Sequence, residues 1–522
     1  MADSIIAIIL RIIVGGAVLA ALLLFSIGTA VAVATQGLEL GRLGVADWSA
    51  IRFTLWQACL SAGLSVTIAI PVARALARQK FVGRQALITL LGDPFILHVI
   101  VGVLGLLAVF GRAGWISDVL TWTGFAKLSI YGAPGVILAH VFFNLPLATR
   151  FLLQGWSTVP SERFRVVQSL AASPWAYFRL IEWPLLKSVV PGAFLLVFLL
   201  CLTSFAVALA VGGGPRGTTI ELAIYQAFRL DFDLGKAASL ALVQFSLCGA
   251  VAVMAFLVPL PQTDGFGLGR LPQRLDASGH RGVDFMWITI SAAFLILPLG
   301  AILIRGLGHI ASLPHQVFTA SITSVLIALA STVVCISMAL GLSLAFARRG
   351  QVARNLAEGM GILGLATSPL VVGTGIFLMI FPFAHPMTFA LPITASVNAM
   401  MALPFALWVL MPAVRETYAD YLILRNSLHV TRWVWLHRIL LPRLRRPLGF
   451  AAGLAAALSM GDLGVIALFA DPDLQTLPLM LYRLMGAYRM DQAAAVAVVL
   501  VAQSLALFWM FDRGGRGYAG SP

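Results

Sequence analysis

Charge is what this sequence has least of. Only 11% of its 522 residues are Asp, Glu, Lys or Arg, against roughly 25% in ordinary soluble domains. With 60% hydrophobic residues, a soluble fold of this length has no way to hide its apolar surface. Cysteine is scarce too: Cys59, Cys201, Cys248 and Cys335 all fall within apolar blocks without metal-ligand spacing. They read as helix-packing residues and predict no disulfide. The eight histidines are scattered. There is no H-E-x-x-H, no G-x-S-x-G and no G-x-x-x-x-G-K-[ST], so nothing in the chain points to zinc hydrolysis, a serine nucleophile or a phosphate-cradling loop.

What is present is a series of apolar blocks near the ~20 residues a helix needs to cross a bilayer. They fall near 5–34, 51–73, 86–110, 131–153, 190–211 and 237–260, and again near 284–304, 317–346, 356–383, 387–412, 448–469 and 492–511. The first lacks a basic leader and is too long for a signal h-region, so it reads as a retained span. The fold class expected is an all-α polytopic membrane protein with about twelve transmembrane helices. A net charge of +14 would suggest nucleic acid in a soluble protein. Here most of the 35 Lys and Arg, among them Arg74, Arg78, Arg163, Arg165, Arg348, Arg438 and Arg513, fall in alternate connections. The positive-inside rule then places both termini in the cytoplasm and excludes a nucleic-acid partner. The remaining contact implied is membrane lipid.

Two of the inside connections, 154–189 and 413–447, are long and occupy the same place in each half. Pro146 and Pro404, Trp175 and Trp433, Ile181 and Ile439, and Pro184 and Pro442 all lie 258 apart. The chain therefore reads as a tandem duplication: a first repeat at 1–260, a linker at 261–283 and a second repeat at 284–522. Even numbers of spans give the repeats one orientation. Within each long connection an N-cap candidate, Ser173 or Thr431, opens a short amphipathic segment. Trp175 with Phe178, and Trp433 with Leu436, provide its apolar face, and Pro184 or Pro442 is expected to end it. Taken singly, such a segment could be an interfacial anchor. Two equivalent ones suit a partner with two equivalent sockets.

The stretch from Arg165 to Pro184, RVVQSLAASPWAYFRLIEWP, resembles the loop motif of binding-protein-dependent ABC importer permeases, usually written EAA, three residues, G, nine residues, I-x-L-P. Ile423 to Pro442 keeps the same register. Both copies lack the EAA triplet, and Ala171 and His429 replace the glycine. The segment from Leu202 to Gln244 closely resembles its counterpart in thiamine and thiamine pyrophosphate importer permeases. Iron(III) importer permeases share the layout and stand as the alternative.

The resemblance implies two tandem type I ABC importer permease domains in a bacterial inner membrane. It implies two copies of an ATP-binding subunit as partners, with ATP and Mg held there and no cofactor or metal in this chain. A periplasmic thiamine-binding protein would deliver the ligand. The coupling residues implied are Leu170, Ala171, Ala172, Ser173, Trp175, Phe178 and Pro184, then Leu428, His429, Thr431, Trp433, Leu436 and Pro442. For the substrate path, Asp462 lies inside an apolar block, where a charge is costly and should face the bundle interior. Its repeat mate is Ser204, beside Thr203, and an acidic wall suits a cationic thiazolium. An ion-gradient-driven transporter is a further alternative, although Asp462 has no evident basic mate. Tyr225, Phe228, Tyr482 and Tyr488 read as interfacial belt aromatics.

Overall fold

The computed structural model describes residues 43–92, 98–170, 173–212, 214, 217–258, 281–346, 367–469 and 474–516. Among them every regular element is helical, because only a helix satisfies its own backbone groups in hydrocarbon without closing a barrel. In chain order the principal helices begin with α1 (Val45–Arg78), α2 (Val99–Phe110), α3 (Ala133–Ser157), α4 (Trp183–Leu202), α5 (Phe205–Val211) and α6 (Leu234–Leu257). They continue with α7 (Arg281–His309), α8 (Gln316–Phe346), α9 (Pro369–Ile380), α10 (Ala390–Ser427), α11 (Leu441–Met460), α12 (Gly464–Phe469) and α13 (Met490–Arg516).

Among the described residues, ten helical stretches are long and apolar enough to cross a membrane, so the chain is an all-α polytopic membrane protein. The expected span at 5–34 and much of that at 356–383 lie outside the described residues. On α8, Phe318, Ile322, Leu326 and Val333 are exposed. An apolar side chain turned outward at that spacing faces lipid.

The helices form two compact units, each discontinuous in sequence. One comprises Val45–Leu222 and Ala250–Arg305. In it α1 packs along α3 and buries a stripe of small residues, Ala58, Ser61, Ala62, Ser65 and Ala69. Lipid tails are as apolar as the helices, so close approach of small residues substitutes for a hydrophobic drive. Ser65 and Thr54 return their hydroxyls to the carbonyls of Ser61 and Ala50, each at 2.7 Å. This unit also takes most of α7, whose Pro298 carbonyl lies against Gly105 of α2.

The other unit draws on Ala223–Gly249 and on the chain from Gly306 onward. It takes most of α6, where Ala238 packs on Leu378 of α9. One close approach joins α11 to α13. Gly449 and Gly453, four apart, meet the backbone at Phe511, Gly515 and Phe508. A Cβ on Gly453 would stand 2.9 Å from the Phe508 carbonyl oxygen. Gly453→Leu is accordingly expected to destabilise the protein by about 1–3 kcal/mol, read as a lower thermal midpoint in detergent. An unchanged midpoint would mean that this contact is not tight.

Candidate functional site

The connection at 154–189 is almost wholly helical. After α3 comes a short helix, Ser161–Ser169, which leaves Leu170 exposed. Ala171 and Ala172 lie outside the described residues. Ser173 then caps a new turn: its Oγ accepts from Ala176 N–H at 3.3 Å, and its carbonyl accepts from Tyr177 N–H at 2.9 Å. The helical turn Pro174–Tyr177 passes into a π turn, Phe178–Glu182, and Trp183 N–H donates to the Phe178 carbonyl.

Here the expectation for Pro184 is corrected. It does not end the segment but occupies the second position of α4. Proline removes one helical donor and crowds the carbonyl a turn earlier. The wider π turn absorbs both, and the helix continues into the membrane span. Trp175 is 69% exposed and stacks on Phe178 with ring centroids 5.6 Å apart.

The second copy repeats the device. Helix α10 runs through Pro412 to Ser427, well past the expected span end at 412. It stops where Leu428 is exposed and His429 has φ +49°, with Val430 N–H donating to the Arg425 carbonyl at 3.1 Å. This left-handed backbone is what the motif's glycine supplies without strain, since a Cβ is disfavoured there. His429→Gly should raise stability by about 0.5–1 kcal/mol, seen as a higher thermal midpoint; a lower one would contradict this.

The Thr431 carbonyl accepts from Trp435 N–H at 2.9 Å. The turn Arg432–Val434 then enters a second π turn, Trp435–Leu440. Leu441 N–H donates to the Leu436 carbonyl, and Pro442 again falls at the start of the next helix, α11. Trp433 is 70% exposed. Its ring lies beside His437, with centroids 3.8 Å apart. Leu436 instead packs inward against a cluster built around Tyr418 and Trp435.

Both membrane helices that follow are broken. Between α4 and α5 stand Thr203 and Ser204, and the Thr203 hydroxyl donates back to the carbonyls of Leu199 and Leu200 at 3.3 and 3.4 Å. Ser204 holds the N-cap position of α5 without a side-chain cap bond. Between α11 and α12, partly exposed Asp462 accepts from Gly464 N–H through Oδ1 at 3.2 Å. A carboxylate is well placed at a helix N-terminus. On α10, buried Asn398 satisfies both ends of its amide in one orientation. Its nitrogen donates to Asp462 Oδ2 at 3.2 Å and the Thr394 carbonyl at 3.3 Å, and its oxygen accepts from Ser459 Oγ at 3.0 Å.

The first repeat has the same clasp. Asn144 on α3 donates to the His140 carbonyl at 2.9 Å and reaches Cys201 Sγ at 3.4 Å. Cys201 and Ser459 are 258 apart, whereas Asn144 and Asn398 are 254 apart. That slip of about one helical turn conceals the asparagine pair from a search at fixed offset. Asp462 and Ser204 belong to different compact units.

Among the four aromatics read as belt residues, Phe228 departs from that role: it is buried edge-on against Phe377, centroids 4.5 Å apart. Tyr488 is exposed. Among the described residues no three His, Cys, Asp or Glu side chains converge as metal ligands would.

No protein-family model matches the chain. It is 39% identical over 481 residues to the thiamine transport system permease protein ThiP of Salmonella typhimurium, covering 89% of each chain. The protein of the same name from Brucella melitensis is 37% identical over 89% of this chain and 87% of the relative. That from Haemophilus influenzae is 32% identical over 86% of both. The chain belongs to the thiamine transport system permease family. As a permease it is a membrane transport protein rather than an enzyme. In this permease, each exposed tryptophan segment leads through a π turn into a span broken at a polar residue.

Proposed function

We propose that the chain is the transmembrane subunit of an ATP-binding-cassette importer that carries thiamine, and its phosphates, into the cytoplasm. The observation that carries this reading is the pair of exposed tryptophan segments, each continuous through a π turn with a membrane helix. Leu170, Ser173, Trp175 and Phe178 in one, and Leu428, Thr431 and Trp433 in the other, form corresponding knobs for two copies of an ATP-binding subunit. A rigid helical connection passes motion of the knob to the span, which a flexible loop does not do. The sequence holds no Walker-type loop, in keeping with ATP and Mg bound by that partner.

A periplasmic thiamine-binding protein delivers the ligand, the membrane is the bacterial inner membrane, and both termini are cytoplasmic, as the basic connections indicate. Asp462, at the break between α11 and α12, supplies the carboxylate that suits the cationic thiazolium, and Thr203 and Ser204, at the break between α4 and α5, supply neutral polar groups. Thiamine enters this reading through the relatives' names and through that charge match. Vanadate should stop uptake in energised vesicles, whereas a protonophore should leave it running while ATP is supplied. The reverse pattern would replace this reading with a gradient-driven carrier.

A further inference from the structure

Glu182 closes the first π turn and is 1% exposed. Its Oε1 accepts from Arg74 Nε at 2.9 Å and lies 3.8 Å from Arg78 Nη2. The two arginines are four apart at the end of α1, so both reach one carboxylate. Arg78 Nη1 also lies 3.8 Å from Asp284 Oδ1, and Gln79 Nε2 donates to Asp284 Oδ2 at 2.7 Å. Asp284 stands in the first turn of α7. All these residues belong to one compact unit. The root of the first tryptophan segment is thereby tied to α1 and, through Arg78, to α7.

The position 258 further on is Leu440. It is 0% exposed, packed among Val414, Tyr418, Trp435 and Leu444, with the Arg425 guanidinium over the Trp435 ring at 5.3 Å. The two segments share a backbone design but have unlike roots. The Arg74–Glu182 and Gln79–Asp284 bonds are charge-assisted and directional, and Arg78 stands between the two carboxylates as an ion-pair partner 3.8 Å from each. An apolar contact is non-directional and lets its partners slide.

We propose that Glu182 is the positioning residue through which the first segment moves α1 and α7 together, so that the two segments are mechanically unequal: the first is a clamped lever and the second a sliding contact. This rests on the coupling role proposed above.

The test uses the full complex of permease, ATPase and binding protein in proteoliposomes. It reads thiamine moved per ATP hydrolysed, ATPase attachment and thermal midpoint. Glu182→Gln is expected to keep the ATPase attached and hydrolysing while the ratio falls by about fivefold or more. Glu182→Asp should restore most of it. Leu440→Ala should lower the midpoint and keep the ratio. If Glu182→Gln does not assemble, Asp284→Asn, which leaves the Arg74–Glu182 pair intact, should show the same fall. An unchanged ratio, a proportional loss of transport and hydrolysis with a lower midpoint, or an equal fall in Leu440→Ala would overturn the inference alone. Normal attachment and normal uptake in both Trp175→Asp and Trp433→Asp would overturn the coupling reading and the inference together.

Discussion

Trp175→Asp and Trp433→Asp are each expected to release the ATP-binding subunit or leave it hydrolysing without transport, with uptake falling by more than tenfold. Both indoles are more than two-thirds exposed, so neither replacement opens a cavity in the chain and the fold should survive. What is lost is the anchor. A buried aromatic at the centre of an interface typically contributes about 2–4 kcal/mol, or roughly 30-fold or more in affinity, and an aspartate there must also be desolvated without a partner. Co-purification in detergent and uptake in cells measure the two effects separately. Full attachment together with normal uptake in both variants would remove the basis for the coupling assignment.

Asp462→Asn should weaken thiamine uptake by about ten- to a hundredfold, the range of one charge-assisted contact, while ATPase attachment is unchanged. The substitution isolates charge from shape. An asparagine oxygen at this position can still accept from Gly464 N–H, as Asp462 Oδ1 does at 3.2 Å, so the start of α12 keeps its cap. Asn398 is its control. Asn398→Ala removes the group that donates to Asp462 Oδ2 but retains the charge, and should cost less uptake than Asp462→Asn. Unaltered uptake kinetics in Asp462→Asn would reduce the carboxylate to a helix cap.

Much of this architecture is legible in the sequence. Apolar blocks of bilayer length leave the chain little choice but helices, and the shared offset of Trp175 with Trp433 and Pro184 with Pro442 marks the paired segments. Features that depend on how helices meet were not legible. A proline reads as a stop, yet Pro184 and Pro442 are accommodated because a π turn precedes each, and composition carries no signal for that extra residue per turn. The exchange of α6 and α7 between compact units is a tertiary choice, made by contacts such as Ala238 on Leu378 and Gly105 on Pro298. The asparagine clasps were hidden by their different offset. The left-handed residue at position 429 was signalled only by the motif's glycine, which this sequence replaces with histidine.

The proposed function is ATP-driven import of thiamine. It is tested most directly by uptake of labelled thiamine in cells that lack all thiamine import, with and without this chain and its partner subunits, beside a ferric-iron control. Vanadate-sensitive thiamine accumulation that requires the chain is expected, with no change in iron. Iron accumulation without thiamine, or thiamine uptake indifferent to the chain, would contradict it.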